Sequence, residues 1–162
     1  MRPPLSGKSA DVAARSARAI LRTIVFCCAI LVLPPAAATS FITHTGKPFE
    51  EVLEDLEFAI GELNFRIVGR NDISKGIREA GRLDFPRSLV LQACNLALAE
   101  EALELDPALI VHMPCRIAVY ERGGRVFVGT DLLPEDESDP RRAAFARKVN
   151  ETLRAMVRAA AQ

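Results

Sequence analysis

Four soft donors stand close together in this chain. Cys94 ends the apolar run LVLQAC (89–94), and His112, Met113 and Cys115 fall within HMPC (112–115). Thiolate, thioether and imidazole suit a soft metal such as Cu(I). A pair of thiols also suits disulfide or redox chemistry. Cys94 sits just before a predicted helix, whose free N–H groups and dipole favour a thiolate. Asn95 follows at once and is a good helix cap. The candidate binding set is Cys94, Asn95, His112, Met113 and Cys115. Cys94, Cys115 and Met113 are the ligands if the guest is Cu(I), the one cofactor these residues suggest.

Three readings of the two cysteines stay open. A disulfide would close a loop of about 22 residues, worth roughly 3 kcal/mol in the chain-entropy picture. Two unpaired cysteines would behave as small apolar side chains. A functional thiol site is the third. No residue is assigned a catalytic role: the chain has no G-x-G-x-x-G, no phosphate-binding loop, no H-E-x-x-H and no G-x-S-x-G. His44 and His112 are the two imidazoles. His112, among Ile110, Val111 and Met113, reads as a core or edge residue rather than a base.

The cysteines need a compartment before they have a chemistry. The chain has 162 residues with 21 basic and 21 acidic side chains. Residues 1–38 hold five bases against one acid, so residues 39–162 carry 16 bases against 20 acids, a net of −4. Arg22 ends the basic stretch. TIVFCCAILVL (23–33) follows, then Pro34, Pro35 and AAATS. This is the layout of a secretory signal peptide, with an apolar run well short of the ~20 residues of a spanning helix. Cleavage is expected after Ala38, which removes Cys27 and Cys28. An uncleaved signal anchor, and with it a membrane attachment, is the alternative. Cys94 and Cys115 would then face a periplasmic or extracellular, oxidising environment. A mildly acidic body without a Lys/Arg cluster argues against a nucleic-acid partner.

The elements that must position the site follow from periodicity and punctuation. SFITHT (40–45) reads as a strand. Residues 47–63 read as a helix begun by Pro48, with Phe49, Val52, Leu53, Leu56, Ile60 and Leu63 on one face. Its Glu50, Glu51, Glu54 and Asp55 form a solvated face rather than a cation site. Residues 64–70 read as a strand with Phe65, Ile67 and Gly69 on one side. Residues 71–81 read as a short helix capped by Asn71 or Asp72.

Residues 87–94 read as a strand and 95–107 as a helix stopped at Asp106-Pro107. ALIVHMP (108–114) reads as an extended strand or buried loop. Residues 115–121 and 125–132 flank a glycine turn as a hairpin. Pro140 opens a last helix with Phe145, Val149, Leu153, Met156, Val157 and Ala160 as its stripe, facing a sheet or a second subunit. The expected fold is a single α+β domain over 39–162. It is a mainly antiparallel sheet of five or six strands with helices packed on one face. A helix running back from Cys94, followed by an extended return, would bring Cys115 beside it.

With these segments in order, the chain resembles the domain-of-unknown-function 302 family. Asp84-Phe85, Cys94-Asn95, Asp106-Pro107, Pro114-Cys115 and Gly123-Gly124 match the family pattern in order and spacing. The resemblance runs from about Phe49 through the last helix. Leu96 stands where the family has proline after Cys-Asn, and Met113 where it has leucine. The resemblance implies an α+β fold and a homodimer as a candidate state. It implies that both cysteines belong to the family pattern, and it implies no reaction.

The function expected from the sequence is that of an exported, non-catalytic domain. It binds an unidentified small ligand or protein partner near Cys94 and Cys115. The alternatives are a thiol-redox or Cu(I)-handling protein and a dimeric structural module. The leader reading is checked by intact-mass spectrometry of the exported protein. A form beginning at Thr39 is expected; a full-length mass would establish the uncleaved anchor instead.

Overall fold

The computed structural model describes residues 39–135 and 138–162. The leader and its expected cleavage point lie outside them. Five strands form one sheet in the order β1-β5-β4-β3-β2: β1 (Ser40–Thr45), β2 (Arg66–Asp72), β3 (Ser88–Cys94), β4 (Cys115–Arg122) and β5 (Arg125–Asp131). Every neighbouring pair is antiparallel. The helices are α1 (Phe49–Glu62), α2 (Ile73–Glu79), α3 (Leu96–Leu105) and α4 (Pro140–Ala161), with a 3-10 helix at Pro107–His112. The fold is α+β.

Register explains why the layers are two. Leu89 pairs with Val119 and Leu91 with Ile117, and across the next ladder Val119 pairs with Val128. All five are buried. Strand side chains alternate, so these residues share one face of the sheet. Against that face lie Val52, Leu56 and Ile60 of α1 with Val149, Leu153 and Met156 of α4, all within one apolar cluster. The α4 stripe read from the sequence is buried throughout, and α4 packs on α1, β1 and β5 of its own chain.

The opposite face carries half-buried and exposed residues. Tyr120 stacks on Phe127 at 5.2 Å, and His44 meets the Phe127 ring edge at 5.4 Å. Ile42 lies over Gly129, where a Cβ would come within 2.8 Å of its Cγ1. That close approach requires glycine at position 129.

Three local expectations change. Helix α1 begins at Phe49, with Pro48 as the residue before it. The face expected of Phe65, Ile67 and Gly69 breaks at a bulge between Ile67 and Gly69, which leaves Ile67 and Val68 exposed. Most consequential, 107–112 is a 3-10 helix rather than an extended segment. Pro107 opens it, and the Asp106 carboxylate accepts a hydrogen bond from the Ala108 N–H at 2.8 Å. Ile110 and Val111, taken as buried apolar residues, are exposed.

One buried polar side chain escaped the apolar pattern. Asn150 of α4 is fully buried and accepts from the Leu133 N–H at 2.8 Å. Its amide donates to the Leu133 carbonyl at 2.9 Å and to Glu135 Oε1 at 2.7 Å. It thereby holds the segment after β5 onto α4. Asn150→Ala strands two backbone groups, each costing about 1–3 kcal/mol. The expected loss is about 2–4 kcal/mol in urea unfolding. A loss below ~0.5 kcal/mol would mean that water replaces the amide.

Candidate functional site

Antiparallel pairing brings the two cysteines to one end of the sheet. Cys94 is the last residue of β3 and Cys115 the first of β4, and Ala93 stands opposite Cys115 in register. The intervening chain leaves along α3, about 15 Å long at 1.5 Å per residue. It returns through the 3-10 helix, about 12 Å at 2.0 Å per residue. The return differs from the expected extended run, yet the meeting point is the one inferred, because adjacent antiparallel strands must be joined at one end.

Cys94, Asn95, His112, Met113 and Cys115 all line one cavity. All five residues picked out from the sequence are therefore brought together. Asn95 performs the expected cap: its Oδ1 accepts from the Leu98 N–H at 3.1 Å. It does a second thing that the sequence did not indicate. Its Nδ2 donates to the Asn64 carbonyl at 3.0 Å, tying the start of α3 to the α1–β2 turn. Asn64 adopts a positive φ of 60° in that turn. The peptide bond between Met113 and Pro114 is cis.

The remaining lining is apolar and comes from distant parts of the chain. Phe65 precedes β2, Leu98 and Ala102 belong to α3, Leu133 follows β5, and Phe145 and Val149 belong to α4. Sequence reasoning did not assign these to the site. Leu98 and Ala102 had a signal, the i, i+4 spacing of one helix face. Phe65, Leu133, Phe145 and Val149 had none, because only the packing of α4 across the sheet delivers them here. The cavity volume is about 40 Å³. That is room for a few atoms, since one water needs about 10–15 Å³ by the same measure.

Both cysteines are free and half-buried. Burial pushes the Cys115 thiol above its usual range, and the nearby Cys94 adds like-charge repulsion to the same effect. Cys115 is thus held protonated at neutral pH, which disfavours it as a nucleophile. Cu(I) binding by Cys115 would first have to remove that proton. Among the described residues, no group of three or more His, Cys, Asp or Glu side chains is placed to hold a metal ion. His112 is exposed at the end of the 3-10 helix rather than in the core.

Sheet order, the helix layer and this cavity define a small α+β domain with two half-buried thiols at one sheet end. The chain belongs to the family described as Domain of unknown function DUF302, whose model matches residues 41–160. The crystal structure of an uncharacterized conserved protein DUF302 from Bacillus stearothermophilus is similar, with a TM-score of 0.67 and 21% identity. The likeness covers 75% of this chain and 97% of that one, and at this identity it bears on the fold. No curated protein matches this chain.

The Cys115 shift sets a pH dependence. A thiol whose folded pKa is raised contributes stability below its ordinary value of 9.0. That contribution is lost as pH rises through the folded value. The thermal stability of the reduced protein should therefore fall above about pH 9. Cys115→Ala should flatten that slope. An unchanged slope in the variant would assign the alkaline loss to other groups.

Proposed function

We propose that this protein is an exported, non-catalytic binding domain whose cavity beside Cys94 and Cys115 takes a small apolar guest. The observation that supports the reading is an almost wholly apolar cavity at a sheet end, walled by Cys94, by a Cys115 thiol that burial keeps protonated, and by the Phe65 and Phe145 rings. Leu96, Ile110 and Val111 neighbour lining residues in sequence and are all exposed, at 76%, 54% and 78%. They offer an apolar approach to the cavity mouth. The cavity is small, so a larger guest needs one wall to yield. Met113, an unbranched and half-buried side chain, is the wall best suited to do so. Export is carried by the leader pattern of residues 1–38. Self-association as a homodimer is a further part of the reading, drawn from the family resemblance alone.

A second reading rests on the same placement: Cys94, Cys115, Met113 and His112 are all soft donors on one cavity. It makes the protein a Cu(I) handler or thiol-redox protein. The raised Cys115 pKa works against it.

The probes are xenon and indole, titrated into the full-length protein while the Met113 methyl resonance is followed by NMR. Saturable shifts at Met113 are expected with at least one probe. Ala99→Leu, which places a larger side chain in the lining, should abolish them while the fold is retained. No response at Met113, or an equal response in the variant, would overturn the apolar-guest reading. Uptake of one Cu(I) that is lost in Cys94→Ser would establish the second.

A further inference from the structure

The rim that holds the two thiols has an outer surface as well as a cavity. Antiparallel pairing starts β1, β2 and β4 there and ends β3 and β5 there: Ser40 stands opposite Asp131, Arg66 opposite Cys94, and Cys115 opposite Ala93. Helix α3 departs from this rim and the 3-10 helix returns to it. Those two ends present Leu96, Ile110 and Val111, all exposed. An exposed leucine by itself is ordinary. Leu83 is more exposed still, at the opposite rim just before β3, and it stands between Arg82 and Asp84. The tip is different in its surroundings. Residues 95–99 and 107–115 contain no Asp, Glu, Lys or Arg.

Charge at the rest of this rim is balanced. Asp131 pairs with Arg116 at 3.2 Å, Glu135 with Arg154 at 3.3 Å, Asp139 with Arg141 at 3.8 Å and Asp106 with Arg142 at 2.8 Å. Glu62 and Arg66, on either side of the α1–β2 turn, are of opposite sign. Glu100 lies one turn along α3 from Leu96 and is exposed, so it keeps the rest of that helix in water. An uncharged apolar tip without a basic cluster fits a lipid phase better than a polyanion.

The chain also enters the domain at this rim. The Thr39 carbonyl accepts from the Leu132 N–H at 2.9 Å, which fixes residue 39 beside the end of β5. The apolar run of residues 23–33 joins it through residues 34–38. Such a link reaches at most about 18 Å. A bilayer that receives that run, in transit or as a lasting anchor, is therefore tethered at the thiol rim.

We propose that the tip formed by Leu96, Ile110 and Val111 docks on a lipid bilayer, burying these three side chains at the boundary of headgroups and acyl chains. The docking is peripheral: among the described residues, no helix is long and apolar enough to cross a membrane. It rests on the export reading, which sets the domain beside a membrane, and it does not depend on what the cavity holds.

The chain has no tryptophan, so one introduced indole reports its own surroundings. Val111→Trp and, separately, Leu83→Trp are made in the full-length protein and mixed with vesicles of brominated phosphatidylcholine. At position 111 the emission should shift to the blue and lose roughly half its intensity to the bromine, as for a side chain at the acyl boundary. Position 83 should show neither change. High salt should leave the result as it is, because no charge cluster takes part. Adding Leu96→Glu and Ile110→Glu to Val111→Trp should remove the quenching without lowering the melting temperature, since both positions are exposed. Adding Ala99→Leu should leave the quenching in place, which separates docking from guest binding. Absence of quenching at position 111, equal quenching at position 83, its survival with the two glutamate substitutions or its loss with Ala99→Leu would overturn the proposal. So would a blue shift at position 111 that grows with protein concentration in the absence of vesicles, which would assign the tip to self-association.

Discussion

The structure depends on one constraint: every strand has its neighbours antiparallel, and one face of the sheet is apolar. Alternation along β3, β4 and β5 puts Leu89, Leu91, Ile117, Val119 and Val128 on a single side. Burying that side requires a second layer, which α1 and α4 supply. Antiparallel adjacency then dictates the ends. Whatever joins β3 to β4 must leave and return at one rim, and whatever joins β4 to β5 must turn at the other. The thiol cavity lies at the first of those rims, and the groove lined by Arg87 and Glu121 lies at the second.

The two rims differ in chemistry because the connections differ. At one, α3 and the 3-10 helix lean over the strand ends, and α4 contributes Phe145 and Val149 from behind. Apolar side chains from several elements converge there, and the thiols among them lose solvent. At the other rim the β4–β5 turn is two glycines long, and residues 122–125 stay exposed. Charged side chains are stable in that position because water reaches them. Burial raises the Cys115 pKa at the first rim, while an arginine lowers that of Glu121 at the second. The domain thus carries a dry end and a wet end on the same pair of strands.

Much of this was legible beforehand, for reasons that can be named. The strand 87–94, the helix after it and the hairpin around Gly123-Gly124 have dense local signals: alternation, an Asn cap and a turn that tolerates positive φ. The pairing of Cys94 with Cys115 as neighbours was legible from the lengths of the segments between them. The segment 107–112 was misread because its apolar composition suggested burial. Asp106 and Pro107 instead wind it into a short helix that leaves Ile110 and Val111 in solvent. The bulge after Ile67 was also invisible, since an extra residue in a strand leaves no periodic trace.

Sequence by itself determined the elements, the apolar faces and the proximity of the two thiols, because these follow from local spacing and chain length. It also carried the leader pattern and the family resemblance. Only the tertiary structure decided what surrounds the thiols. Phe65, Leu133, Phe145 and Val149 reach Cys94 and Cys115 through packing across the sheet, which no local pattern encodes. It also decided that Asn150 is buried and bonded, and that Arg122 faces Arg125 across a turn. Those relations depend on register and on which layer lies behind a residue, and both are settled only when the sheet closes against its helices.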